Sequence, residues 1–105
     1  MSIVVPLQPE TSGELITVHA PLRHLCPFVD EIDNGTVTVE FRVTTTTFEA
    51  HALAAYFAEF ADTRISHEAL TDRIFTELNA HDGPTVTRVS SEWTTAGMNI
   101  RVERS

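Results

Sequence analysis

Between residues 36 and 62 the hydrophobic period of this chain changes, and that change restricts its fold more than any other feature. TVTVEFRVT, 36–44, alternates: Val37, Val39, Phe41 and Val43 share one face and Thr38, Glu40 and Arg42 the other, as a half-buried strand requires. FEAHALAAYFAEFAD, 48–62, is alanine-rich and sets Leu53, Tyr56, Phe57 and Phe60 at helical spacing, a pattern of core packing rather than of a base-stacking platform. Upstream, ELITVHA, 14–20, is β-branched and alternating and reads as a strand ended by Pro21. Residues 21–35 then read as a long connection closed by an Asn34-Gly35 turn. Downstream, Ser66-His67-Glu68-Ala69 reads as the capped start of a second helix reaching about Asn79. Its apolar stripe is Leu70, Ile74 and Leu78, and Glu68 sits at the positive end of the helix dipole. Gly83-Pro84 stops that helix. PTVTRVSSEW, 84–93, and AGMNIRVER, 96–104, read as two more strands around a Thr94-Thr95-Ala96-Gly97 turn, and residues 1–13, with Pro6, Pro9 and Gly13, as an irregular arm.

The order strand, strand, helix, helix, strand, strand predicts an α+β domain. Four antiparallel strands form one sheet and both helices cover one face of it. The 105 residues suit a single domain, 1–105, and 42% hydrophobic content suits a globular one. Such a sheet has two open edges, which are normally covered or paired, so a homo-oligomer joined through its sheets is expected. No apolar run approaches the ~20 residues of a membrane span. The first residues have no basic lead-in, so the expectation is a cytoplasmic protein without a signal peptide.

The net charge is −8, and all seven basic residues are arginine. Without lysine, Schiff-base chemistry on a lysine is impossible. A broad basic surface for gripping nucleic acid is also ruled out as the general mode of binding, although the arginines can still gather locally.

The one cysteine, Cys26, leaves a free thiol and no internal disulfide. It lies in HLCPFVDEIDNG, 24–35, followed by Pro27 and, seven positions on, by Asp33. It can be a core filler, a metal ligand or a nucleophile. A zinc set of His19, His24 and Cys26 matches no compact zinc spacing, so no metal is assigned.

Leu25-Cys26-Pro27 with Asp33, then Glu49 opening Glu49-Ala50-His51-Ala52-Leu53-Ala54-Ala55-Tyr56, then His67-Glu68 opening the second helix, resembles the QueF family, the 7-cyano-7-deazaguanine reductases of the tunnelling fold (T-fold). Within it the chain looks closest to the short archaeosine-forming branch. The resemblance implies that Cys26 is the nucleophile and Asp33 the acid. A thiolate is the strongest side-chain nucleophile near neutral pH, and it would add to the weakly electrophilic nitrile carbon to give a thioimide while Asp33 protonates the nitrogen. Two hydrides would then give the aminomethyl product, whereas ammonia would give a formamidine.

Recognition of the guanine-like face falls to Glu68, whose carboxylate can accept two adjacent N–H groups, with His67 at the carbonyl side and Glu49 arriving from a neighbouring subunit. The partner implied is 7-cyano-7-deazaguanine, free or within a nucleic acid. This sequence also departs from the reductases. His51 and Ala54 stand where they carry lysines. Glu59-Phe60-Ala61-Asp62-Thr63-Arg64 replaces a basic segment, and Thr95-Ala96-Gly97 replaces an Arg-Gly-Gly. Those groups suit the phosphates of NADPH. The favoured reading therefore needs no cofactor and uses ammonia as co-substrate. NADPH belongs to the alternative, a reductase with a rebuilt cofactor site, and a purine-binding module without turnover is the third reading.

Overall fold

The computed structural model describes residues 2–7 and 13–105. Four strands, β2 (Leu15–Leu25), β3 (Ile32–Arg42), β5 (Thr85–Thr95) and β6 (Met98–Arg104), form an antiparallel sheet in the order β2-β3-β5-β6. A two-stranded ribbon pairs β1 (Val4–Pro6) with β4 (Thr46–Phe48). Two helices, α1 (Ala50–Ala58) and α2 (His67–Asn79), are joined by a 3₁₀ turn at Glu59–Asp62 and pack on one face of the sheet. None of the described helices is long and apolar enough to cross a membrane.

The expected face of β3 is the buried one: Val37, Val39, Phe41 and Val43 meet Leu53, Phe57, Phe60, Leu70, Ile74 and Leu78 of the helical layer. Each such side chain contributes about 1.5–3 kcal/mol by leaving water. Both helices have side-chain caps. The Glu49 carboxylate accepts from the His51 and Ala52 amides, and Ser66 Oγ accepts from the Ala69 amide at 3.1 Å. The last hairpin turns at Ala96 and Gly97, both with positive φ (53° and 76°), the geometry of a two-residue hairpin loop.

Four sequence expectations need correction. Pro21 does not end its strand. β2 runs four residues beyond it, because an edge strand tolerates proline where the missing donor faces away from the neighbour. Asn34-Gly35 is not a turn either. Both residues lie inside β3, opposite Arg23 and Leu22, so the real connection is only Cys26–Glu31. The N-terminal arm is not wholly irregular, since Val4–Pro6 pairs with Thr46–Phe48; residues 8–12 of that arm lie outside the described residues. The first helix is also shorter than its pattern, because Phe48 belongs to β4 and the final turn tightens to 3₁₀.

Candidate active site

Extending β2 and β3 past the supposed turn gives the site its frame. His24 and Asp33 face each other across the β2–β3 pair, so their side chains share the helix-covered face. The Asp33 carboxylate stands 3.7 Å from His24 Nε2. One step further along, the pairing continues through the Cys26 amide, which donates to the Glu31 carbonyl at 3.0 Å. Cys26 is thus opposite Glu31 and diagonal to Asp33, a relation that separates Cα atoms by ~7–8 Å. The thiol is partly exposed.

The segment before α2 holds this loop in place. Leu25 exchanges backbone hydrogen bonds with Thr63 and Ile65, at 2.9 and 3.2 Å. Arg64 donates to the Cys26 carbonyl at 3.1 Å and pairs with Asp30 at 2.8 Å. The same segment delivers His67 as the first residue of α2. Its ring stacks on Trp93 with centroids 4.5 Å apart and an interplanar angle of 13°. His24 meets both rings edge-on, and its Nε2 lies 2.9 Å from His67 Nδ1.

Trp93 is fixed by a directional chain. Its indole N–H donates to Ser91 Oγ at 2.8 Å, Ser91 lies 2.7 Å from Thr71 Oγ1, and Thr71 donates to the His67 carbonyl at 2.8 Å. Each hydroxyl must pass its proton onward for all four groups to be satisfied. Ser91→Ala is expected to leave the buried indole N–H unpartnered and to lower stability by about 1–3 kcal/mol, read as a shift in the urea midpoint without a change in slope. An unchanged midpoint would contradict the chain as drawn.

The structure brings Cys26, Asp33 and His67 to one end of the sheet. Glu68 follows His67 in the exposed first turn of α2. Glu49 is elsewhere. β3 spans ~35 Å, and Glu49 lies past its far end, where both carboxylate oxygens are engaged by the start of α1 and by His51 Nδ1. The Ala52 amide in particular holds its carboxyl below the usual range. A single chain therefore does not join Glu49 to the other four residues.

Two members of the cluster had no assigned role in the sequence reading. The sequence suggests His24 only as a zinc ligand with His19 and Cys26, but His19 points to the opposite face and bonds Thr38 Oγ1 at 2.8 Å. Trp93 reads from the sequence only as a strand residue. The legible signal for His24 was its place two residues before Cys26, which on a strand means the same face.

His24, Asp33 and His67 do offer ligand atoms that all lie within 4.8 Å of one another. Two nitrogens on a tetrahedral zinc would stand about 3.3 Å apart, given Zn–N bonds of ~2.0–2.1 Å. The 2.9 Å between these rings is the spacing of an N–H···N hydrogen bond, and the cluster fits that role. Burial, then the neighbouring His24, hold the His67 imidazole below the ordinary histidine range, while Asp33 and Glu68 pull weakly the other way.

Asp33 also lines a recess of about 220 Å³ with Glu31, Thr94 and Ala96, which Cys26 and His67 do not line. A larger groove of about 420 Å³ runs between the β2 edge and α1, with Ala54, Phe57, Ala58 and Arg23 in its walls. It contains none of the five site residues.

The chain is similar to known proteins in sequence and in fold. The family model described as QueF-like protein matches residues 32–105, a span holding Asp33, Glu49, His67 and Glu68. The NADPH-dependent 7-cyano-7-deazaguanine reductase of Chlorobium luteolum is 32% identical over 89 residues, covering 85% of this chain and 77% of that one. The enzyme of the same name from Chlorobium phaeovibrioides is 30% identical over the same shares. An archaeosine synthase QueF-Like, solved in the apo form, superposes with a TM-score of 0.79 over 90% of this chain and 94% of its own. At 17% identity that likeness is one of fold. Sequence and architecture agree, and the chain belongs to the QueF-like family, built on the tunnelling fold.

Proposed function

We propose that this protein acts on the nitrile of 7-cyano-7-deazaguanine, free or within a nucleic acid, and converts it to a formamidine with ammonia. The observation that carries the proposal is the hairpin end itself: a partly exposed thiol at Cys26 and a carboxyl at Asp33 at the same end of the β2–β3 pair, with His67, the residue before Glu68, brought close to Asp33. The Cys26 sulfur adds to the nitrile carbon, and Asp33 passes a proton to the nitrogen to give a thioimide. Glu68, at the rim, accepts the two adjacent N–H groups of the guanine-like face. A neighbouring subunit supplies Glu49, and the assembly closes over the unpaired edges of β2 and β6. The exposed apolar side chains Leu15, Phe28, Val29, Ile32 and Met98 suit such contacts.

Ammonia is favoured over a hydride donor because a site for NADPH phosphates needs available cations. His51 is exposed and paired with Glu49, and the last hairpin turns through Ala96-Gly97. Arg64, Arg73, Arg101 and Arg104 each meet a carboxylate, and of the exposed arginines without an ion pair among the described residues, Arg23 lines the groove beside α1 and Arg88 lies on β5. One observation supports the reductase as a second reading: the relatives at 32% and 30% identity are named NADPH-dependent. The test is to give the protein 7-cyano-7-deazaguanine, as base and within an oligonucleotide, with ammonium or with NADPH, and to weigh the product. Gain of the elements of ammonia is the expected result. Gain of four hydrogens would install the reductase reading. A ligand bound and returned unchanged under both conditions would leave a binding module.

A further inference from the structure

His24 is fully buried, and its two ring nitrogens have fixed partners. Nδ1 lies 3.0 Å from the Leu25 carbonyl, which can only accept, so Nδ1 carries a hydrogen. In the neutral ring Nε2 is then an acceptor, and the group 2.9 Å away, His67 Nδ1, must donate to it. The charged alternative fits less well. An imidazolium at His24 would spend its single Nε2–H on His67 and leave its charge without a carboxylate at hydrogen-bond distance, Asp33 being 3.7 Å away. If His67 Nδ1 holds the hydrogen, His67 Nε2 holds a lone pair. That nitrogen makes no hydrogen bond among the described residues, and the ring is partly exposed and close to Asp33, at the same end of the sheet as Cys26.

We propose that His24 is a positioning residue that locks His67 in its Nδ1–H tautomer, so that His67 Nε2 is the proton acceptor of the site and takes a proton from the incoming ammonium. This rests on the formamidine reading and replaces the earlier expectation that His67 contacts a carbonyl, for which it would need a hydrogen on Nε2.

The step balances. Ammonium gives one proton to His67 Nε2. The freed ammonia forms a C–N bond to the thioimide carbon, the C–S bond breaks, and the leaving sulfur and the new amidine take up the protons held by His67 and ammonia. Cys26 returns to its starting state without any oxidant or reductant. The groups around His67 are His24 from β2, Asp33 from β3, Glu68 on its own helix and the uncharged Trp93 from β5. With His24 neutral, burial is what holds the ring below the ordinary histidine range, so the accepting form prevails at neutral pH.

The test is ¹⁵N NMR of the histidine side chains, in chelator, on the wild-type protein and on His24→Gln and His24→Leu. Glutamine can place an acceptor oxygen where Nε2 was; leucine cannot. The wild type and His24→Gln are expected to show His67 with hydrogen on Nδ1, and His24→Leu a shift towards the Nε2–H form. The leucine variant should also form the thioimide at the normal rate but release formamidine about 10²-fold more slowly, with His24→Gln recovering most of that loss. A wild-type His67 protonated on Nε2 would overturn the proposal whether or not the leucine variant folds. So would equal slowing of both chemical steps in a folded leucine variant. Absence of any adduct in the wild type would instead strike the nitrile reading, while the NMR result would still decide the role of His24.

Discussion

Cys26→Ala is expected to abolish the covalent adduct with 7-cyano-7-deazaguanine and to lower turnover by at least ~10³-fold, because no other side chain in the cluster can attack a nitrile carbon at neutral pH. The loss should be chemical rather than structural. The bonds that hold this loop, from the Cys26 amide to Glu31 and from Arg64 to the Cys26 carbonyl, are made by the main chain and survive the substitution. The thiol is partly exposed, so its removal leaves no sealed cavity. Intact-mass measurement after mixing with the nitrile, without ammonium, separates these effects: the wild type should gain the mass of one ligand and the alanine variant none, with both retaining the same unfolding midpoint. An adduct that persists in Cys26→Ala would place the nucleophile elsewhere and remove the basis for every role assigned to Asp33 and His67.

The parts of this fold legible in the sequence are those whose period is set by burial on one side. Val37, Val39, Phe41 and Val43 fixed one face of β3, and Leu70, Ile74 and Leu78 one face of α2, with Ser66 as its cap. The parts that were misread depend on where a strand sits in the sheet, which no local window contains. Pro21 ends a central strand but is allowed at an edge, and only the order β2-β3-β5-β6 makes β2 an edge. The candidate site divides in the same way. Cys26, Asp33, His67 and Glu68 are candidates through a family motif of residue types at fixed spacing. His24 was missed as a partner of His67 because the contact joins residues forty-three positions apart. A lone histidine on a strand is more often filler than function, and its burial between Trp93 and Asp33 appears only once β2 is extended past Pro21. Glu49 is a helix cap in the single chain, and its expected place at a substrate now depends wholly on a second subunit.

The misread glycine yields the prediction with the largest effect on stability. Asn-Gly is a strong hairpin signal when it stands between alternating runs, and here it fails because Gly35 has a different task. It lies opposite Trp93 in the β3–β5 pair, and the indole lies across the space above its Cα. A Cβ on residue 35 would fall 2.5 Å from Trp93 Cε3 and against the Glu92 carbonyl, closer than packed carbon atoms can come. One of those contacts is with main chain, so no rotamer change relieves it. Trp93 is also held by Ser91 and stacked under His67, so moving the indole would disturb the site as well. Gly35→Ala is therefore expected to lower stability by about 3 kcal/mol or more, at the upper end of what overpacking does, and to lower the melting temperature by ~12 °C or more in a domain of this size. Urea and thermal unfolding of the variant measure both. Combining it with Trp93→Leu should recover part of the loss, since the two changes share one contact and cannot add. A Gly35→Ala protein within ~0.5 kcal/mol of the wild type would mean that the indole does not cross β3 there, and His67 would then lose the platform on which its orientation depends.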